Sequence, residues 1–265
     1  MSRKKRQSKI SKNSLLLAVF VAAGLLLTAA GCSEAVSDAQ YLKNAVACGR
    51  IGNWQESENN ALAVLKRTPD NADALLLRAI AAEHLGKLDV AEESARQAAE
   101  NAPDFFPAQY TYGRLLAAKN SSVKSAIQVL ERALKLRPQD RNTLILLGNC
   151  SSRINADNAI DYYNALPEAV RKQPEIQTRI AIYYLDRRNQ QNRNLELALK
   201  ALGNAYRSSP DNPGIVLNLA MFLDHYVKNN RKATGFYNRY LILTERNPEL
   251  NPTRAQVQAR ISALR

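Results

Sequence analysis

Histidine occurs only twice in the 265 residues, cysteine three times and tryptophan once. His84 and His225 each stand alone in a helical run, with no Cys or second His at metal-ligand spacing. No glycine-rich phosphate loop and no nucleophile elbow occurs. Neighbouring carboxylates such as Glu92 and Glu93 fall on the polar side of helical patterns, where a solvated face accounts for them. These absences leave no catalytic residue, metal ligand, cofactor or small-molecule substrate to assign. Three cysteines are too few for a disulfide framework, and Cys48 and Cys150 lie inside apolar helical patterns, where a thiol behaves as a small hydrophobe. One long apolar run is present, Leu15–Ala30. At 16 residues it falls short of the roughly 20 that span a bilayer.

What precedes and follows that run makes it a targeting segment. Arg3, Lys4, Lys5, Arg6, Lys9 and Lys12 form a basic stretch without an acid, and small residues follow the apolar block. The stretch "LTAAGC" (27–32) resembles a bacterial lipobox, with Ala29 where Leu is commoner. The resemblance implies a signal peptide over 1–31, lipidation of Cys32 and a short linker over 32–36. It also implies a lipid-anchored protein of the bacterial cell envelope. Ser33 takes the place of the Asp that retains such proteins at the inner membrane, which favours the outer membrane facing the periplasm.

Charge is unevenly spread. Beyond the leader, 31 basic less 24 acidic side chains leave +7. Residues 32–138 hold 13 of each sign, whereas 139–265 hold 18 basic and 11 acidic. The surplus thus lies entirely in the second half. Contact with an anionic surface and a merely solvated basic face both fit.

Proline reveals the organisation. Pro69, Pro103, Pro138, Pro174, Pro210 and Pro248 are spaced 34, 35, 36, 36 and 38 residues apart. Ahead of them runs a stripe with steps of three and four: Trp54, Ser57, Ala61 and Val64, then Leu88, Ala91, Ala95 and Ala98. It returns at Val123, Ala126, Leu130 and Ala133, and at Leu195, Ala198, Leu202 and Ala205. Such steps place the side chains on one helix face, and the proline ends the helix. Looser copies begin at Ala156 and Asn230, with the closing proline three residues late and Pro167 interrupting the first. A preceding helix carries a small residue in each unit, at Ala45, Ala79, Gly113, Gly148, Ala181 and Ala220, and Gly52 and Gly86 mark turns between the two helices.

This unit resembles the tetratricopeptide repeat. The resemblance covers about six units over residues 37–250 and implies an all-α, right-handed superhelical solenoid, because one helical pair cannot bury its apolar face alone. Residues 251–265 fit a C-terminal capping helix: Asn251 as N-cap, Val257, Ile261 and Leu264 inward, and Arg254, Gln256 and Arg260 on the wet side.

In this family the first helices line a groove for extended peptides or partner helices. Registering each unit on its small residue points inward Leu42 and Val46, Leu76 and Ile80, then Tyr110 and Arg114. In the later units it selects Ile145 and Asn149, Ile182, and Leu217 with Met221. The first two units thus offer Leu and Ile where chaperone-binding members carry a Lys and Asn clamp, so an apolar peptide or helix is the expected ligand. The resemblance implies a non-enzymatic scaffold for protein partners, as in pilus secretion or outer-membrane assembly. Tyrosines clustered with arginines in the second half could stack on single-stranded nucleic acid. Tyr163, Tyr184, Tyr237 and Tyr240 take packing positions in the repeat, and no nucleic acid is expected. The alternative is an envelope protein that binds an anionic polymer through the basic half. Its best contacts are Arg187, Arg188 and Arg193 in the insertion "DRRNQQNRN" (186–194).

Overall fold

The computed structural model describes residues 36–189 and 193–264. The leader and the expected lipid site Cys32 lie outside the described residues. Helices pair in chain order: α1 (Asp38–Arg50) with α2 (Trp54–Leu65), α3 (Ala72–His84) with α4 (Leu88–Asn101), and α5 (Phe106–Ala118) with α6 (Val123–Leu136). The second half continues with α7 (Arg141–Arg153) against the short α8 (Ala159–Asn164), then the single turn α9 (Glu168–Arg171). Next come α10 (Pro174–Asp186) with α11 (Arg193–Ser208) and α12 (Pro213–His225) with α13 (Asn230–Leu243), followed by α14 (Asn251–Ala263). Each second helix packs on the next first helix where the units are regular, and α1, α3, α5 and α7 also touch in sequence. The result is a solenoid of six helical units, with the first helices sharing one face.

Local chemistry sets the ends of these helices. Asn71, Asp140, Asn212 and Asn229 each accept a hydrogen bond from the backbone N–H three residues on. That contact satisfies one of the orphan donors of a first turn. Pro69, Pro103, Pro138 and Pro210 follow the second helices, as expected. Pro174 and Pro248 differ: each opens a new element, α10 and a 3-10 turn. The missing N–H of proline costs nothing at a helix start, which is why those two prolines come late. The second stripe of the fourth unit starts at Ala159 rather than Ala156 and breaks at Pro167, the N-cap of α9.

Gly52 and Gly86 turn the chain between helices at φ 77° and 74°. The corresponding turns of the fourth and sixth units use Asn155 at φ 54° and Lys228 at φ 57°. Asn tolerates this left-handed region; Lys does so at a cost.

The small residues lie where helices approach most closely. Ala45, Ala79, Ala181 and Ala220 are fully buried. A Cβ on Gly113 would stand 2.7 Å from Leu130 Cγ, and one on Gly148 would stand 2.6 Å from the Tyr163 ring. The first three units bury mainly alanine, valine and leucine in several small clusters. The last three and the cap share one larger cluster built around Tyr163, Tyr237, Tyr240 and Phe222. Tyr163 and Tyr237 bring hydroxyls into that core, and both donate hydrogen bonds: to Asn149 Oδ1 at 2.8 Å and Asp224 Oδ2 at 3.0 Å. Burial, with Asp224 beside it, pushes the Tyr237 hydroxyl up to about 12.

The cap departs from expectation in two ways. Its N-cap is Leu250, one residue earlier than Asn251. Val257 and Ile261 are buried and Leu264 packs on the same cluster, but only Gln256 of the expected wet face is simply exposed. Arg254 donates to the Leu241 carbonyl and to Thr244 Oγ1. Arg260 grips buried Asp224 through two hydrogen bonds of 2.7 Å. A guanidinium fork matches a carboxylate, so these arginines pin α14 to α12 and α13, although the Arg260 side chain stays 41% exposed.

Candidate protein-binding groove

Registration on the small residues gives a mixed outcome when each inward position is located. Leu42, Val46 and Leu76 line a cleft of about 590 Å³ between α1 and α3, joined by Lys43, Ala47, Arg50, Asp73 and Leu77. Ile182 and Met221 line a second, narrower cleft of about 130 Å³ between α10 and α12, with Leu185, Phe222 and Tyr226. Ile182 and Asn218 also border the polar continuation of that cleft, where Glu175, Thr178 and Arg179 stand. Val46, Ile182 and Met221 are 39%, 47% and 43% exposed, high for side chains of this kind.

The remaining inward positions are occupied otherwise. Ile80, Tyr110, Ile145 and Leu217 are partly buried and packed against the core clusters. Arg114 forms a two-pronged ion pair with Glu83 of α3. Its hydrogen bonds hold the Glu83 carboxyl below the usual carboxylate range against the opposing effect of burial. Asn149 accepts from Tyr163 and from Arg179, at 2.8 and 2.9 Å. The first-helix face is therefore not one apolar groove but two apolar clefts, with polar side chains already engaged between them.

Residues two places before the small residue were missed: Lys43, Leu77, Arg179 and Asn218 all border the clefts. Their signal was the helix period itself, since neighbours at three and four steps widen an inward stripe beyond two positions per helix. Also missed was the parallel stack of Trp54 on His84, with ring centroids 3.7 Å apart. It joins the first unit to the second at the end of α3.

The insertion corrects a further expectation. Arg187 is 4% exposed. It donates to the Ala156 carbonyl at 2.8 Å and to Asp157 Oδ1 at 3.4 Å, and its guanidinium lies 4.0 Å from the centre of the Tyr183 ring. A side chain so enclosed ties the fifth unit to the fourth and is closed to an anionic ligand. Arg188 and Arg193 are exposed. Arg187 belongs to a series of contacts that recur about one unit apart. Arg67 meets Asp38 at 2.9 Å, Lys87 meets Glu58 at 2.6 Å, and Arg239 meets Asp211 at 2.6 Å. Part of the basic surplus is thus spent inside the molecule. The two exposed pairs, Arg67–Asp38 and Arg239–Asp211, are each worth only about 0–1 kcal/mol, so they fix register more than stability.

Stacked helical pairs with apolar clefts on their first-helix face define a solenoid of the protein-interaction class. Residues 42–106 and 86–141 match the tetratricopeptide repeat family model, so this stretch of the chain is made of tetratricopeptide repeats. No curated protein matches its sequence. Solved structures of similar fold include PilW, a widely conserved type IV pilus biogenesis factor, with TM-score 0.65 and 19% identity over 82% of this chain and 97% of that one. PilF of Pseudomonas aeruginosa has TM-score 0.61 and 18% identity over 83% and 97%. YrrB, a repeat protein with an unusual peptide-binding site, has TM-score 0.56 and 16% identity over 71% and 93%. At these identities the likeness is one of fold.

Proposed function

We propose that this chain is a non-enzymatic scaffold, held at the bacterial envelope by a lipid on Cys32, that binds apolar segments of partner proteins in its first-helix clefts. The observation that carries this reading is the pair of apolar clefts, whose Val46, Ile182 and Met221 side chains stay in contact with water. Burying such surface drives association, and salt does not screen it. Lys43 and Arg50 frame the first cleft against the single acid Asp73. A segment with apolar anchors and acidic flanks suits it best. The envelope assignment rests on the basic, apolar and small-residue order of the first 32 residues. A role in pilus biogenesis or outer-membrane assembly is the reading in best accord with the fold.

Crosslinked capture from membranes tests both halves. Partners held by the wild type should remain at high salt and fall at least ten-fold in the variant Val46→Ser/Ile182→Ser/Met221→Ser. Retention of the full partner set would remove the clefts from the proposal. Cys32→Ser should abolish labelling by radioactive palmitate and release the chain from membranes; an unchanged distribution would remove the anchor.

A further inference from the structure

We propose that the edge formed by Arg188, Arg193 and the helix–helix turn of the sixth unit is a contact surface for an anionic lipid bilayer. It borders the second cleft at Tyr226 but does not depend on the scaffold reading. The two parts of this edge are neighbours in space: the Arg188 guanidinium sits 5.4 Å from the centre of the Tyr226 ring. Around that contact Arg193, Lys228, Arg231 and Lys232 are all exposed.

The edge differs from its counterparts earlier in the solenoid. There three turn cations are engaged by the preceding unit: Lys87 meets Glu58 at 2.6 Å, Lys119 meets Glu92 at 2.5 Å, and Arg153 donates to the Ala117 carbonyl at 2.6 Å. Among the described residues no carboxylate lies within 4.0 Å of the five cations on this edge. Asp186 and Glu196 are the exposed acids of these segments, and Asp224 is buried and taken by Arg260. Five exposed cations against two exposed acids leave the edge positive.

Charge alone would suit any polyanion. The tip of the sixth-unit turn adds two apolar side chains, Tyr226 and Val227, at 38% and 45% exposed. A soluble polymer of phosphates gives an exposed valine nothing to bind, whereas a bilayer interface accepts an aromatic ring and an aliphatic group while cations reach headgroup phosphates. Lys228 adds a second oddity. It holds a left-handed conformation, φ 57°, at the turn position where the first two units use glycine. The strain places an ammonium at the tip, beside Val227.

Vesicle flotation of the full chain tests the assignment, so that residues 1–35 contribute equally to every arm. Phosphatidylglycerol in phosphatidylcholine vesicles should raise binding of the wild type, and salt should lower it. Each lysine or arginine near an anionic surface strengthens binding about five-fold. The variant Arg188→Ser/Arg231→Ser/Lys232→Ser should therefore bind on the order of 100-fold less. The control Arg141→Ser/Lys200→Ser/Arg246→Ser, equal in charge lost but away from the edge, should change little. Tyr226→Ser/Val227→Ser should also weaken vesicle binding, and circular dichroism should show the helical content of every variant intact. Equal loss in the control would reduce the effect to net charge and overturn the proposal. So would wild-type binding to inorganic polyphosphate that matches vesicle binding and ignores Tyr226→Ser/Val227→Ser, which would make the edge a soluble-polyanion site.

Discussion

Two of the first three helical pairs meet through alanine, and two of the last three meet through tyrosine. In the first half the close-approach residues of the second helices are Ala61, Ala95 and Leu130, set against Ala45, Ala79 and Gly113. In the second half they are Tyr163, Leu202 and Tyr237, set against Gly148, Ala181 and Ala220. Alanine seams ask for few polar partners: Ser57 donates to the Ala45 carbonyl and Gln109 to the Ala99 carbonyl. Buried tyrosines must place a hydroxyl, because an unpartnered polar group in the interior is costly. The second half therefore adds side-chain and backbone acceptors for its tyrosines: Asn149 for Tyr163, the Asp157 carbonyl for Tyr183, and Asp224 with Arg260 for Tyr237. One period tolerates both solutions because only the helix spacing is fixed, not the volume on either side of it. The bulkier seam also accompanies the broken α8–α9 segment and the insertion before α11.

The largest expected effect strikes the tyrosine seam. Tyr163→Ala removes a ring packed on Gly148 and should destabilise by about 3–5 kcal/mol, as large aromatic truncations do. The single tryptophan, Trp54, lies in the first unit, so its fluorescence follows the alanine half while circular dichroism follows the whole. Tyr163→Ala should lower the dichroism midpoint more than the fluorescence midpoint. Ala91→Leu, which overpacks the alanine seam at about 1–3 kcal/mol, should do the reverse. Coincident shifts in both variants would mean that the two halves unfold as one.

A smaller effect follows from Asp224, whose carboxyl is held below its ordinary value by the Arg260 hydrogen bond, with help from Tyr237, against burial. A depressed carboxylate stabilises above its unfolded value, and that contribution fades as pH falls below about 4 through the folded value. Asp224→Asn should cost about 1–3 kcal/mol at neutral pH and flatten the acid limb of the stability profile, measured by denaturation across pH 2–7. An acid limb unchanged in the variant would mean that other carboxylates set it. Smallest is the turn. Lys228→Gly should stabilise by about 1 kcal/mol by relieving the left-handed backbone, whereas Gly52→Ala should destabilise by a similar amount. Chemical denaturation midpoints of the two variants give the comparison.

Much of the fold was legible because its signals are local. The steps of three and four, the small residues at 45, 79, 113, 148, 181 and 220 and the positive-φ glycines each depend on a few neighbouring residues. Helix order, the Pro167 break and the buried tyrosines follow from them. The site was less legible because exposure is a property of pairs of helices. Ile80 and Ile182 occupy the same place in their repeats, yet Ile80 packs against the core while Ile182 borders a cleft. Arg187 reads as a polar insertion residue and is buried, since its partners Ala156 and Asp157 lie some thirty positions away in the preceding unit. Arg260 hides its role in the same way: no local pattern announces that Asp224, 36 residues earlier, lies beneath it.

That same distance has a consequence for how the chain is made. Among the described residues no side-chain hydrogen bond spans more than 36 positions, about the length of one helical pair. Each pair needs only what has already emerged ahead of it, so a chain delivered from its N-terminus can settle pair by pair without waiting for distant sequence. Helix α14 is the exception in timing. Until it arrives, Asp224 sits without its guanidinium and the flank of α13 is open, so α14 acts as a latch on the pair before it.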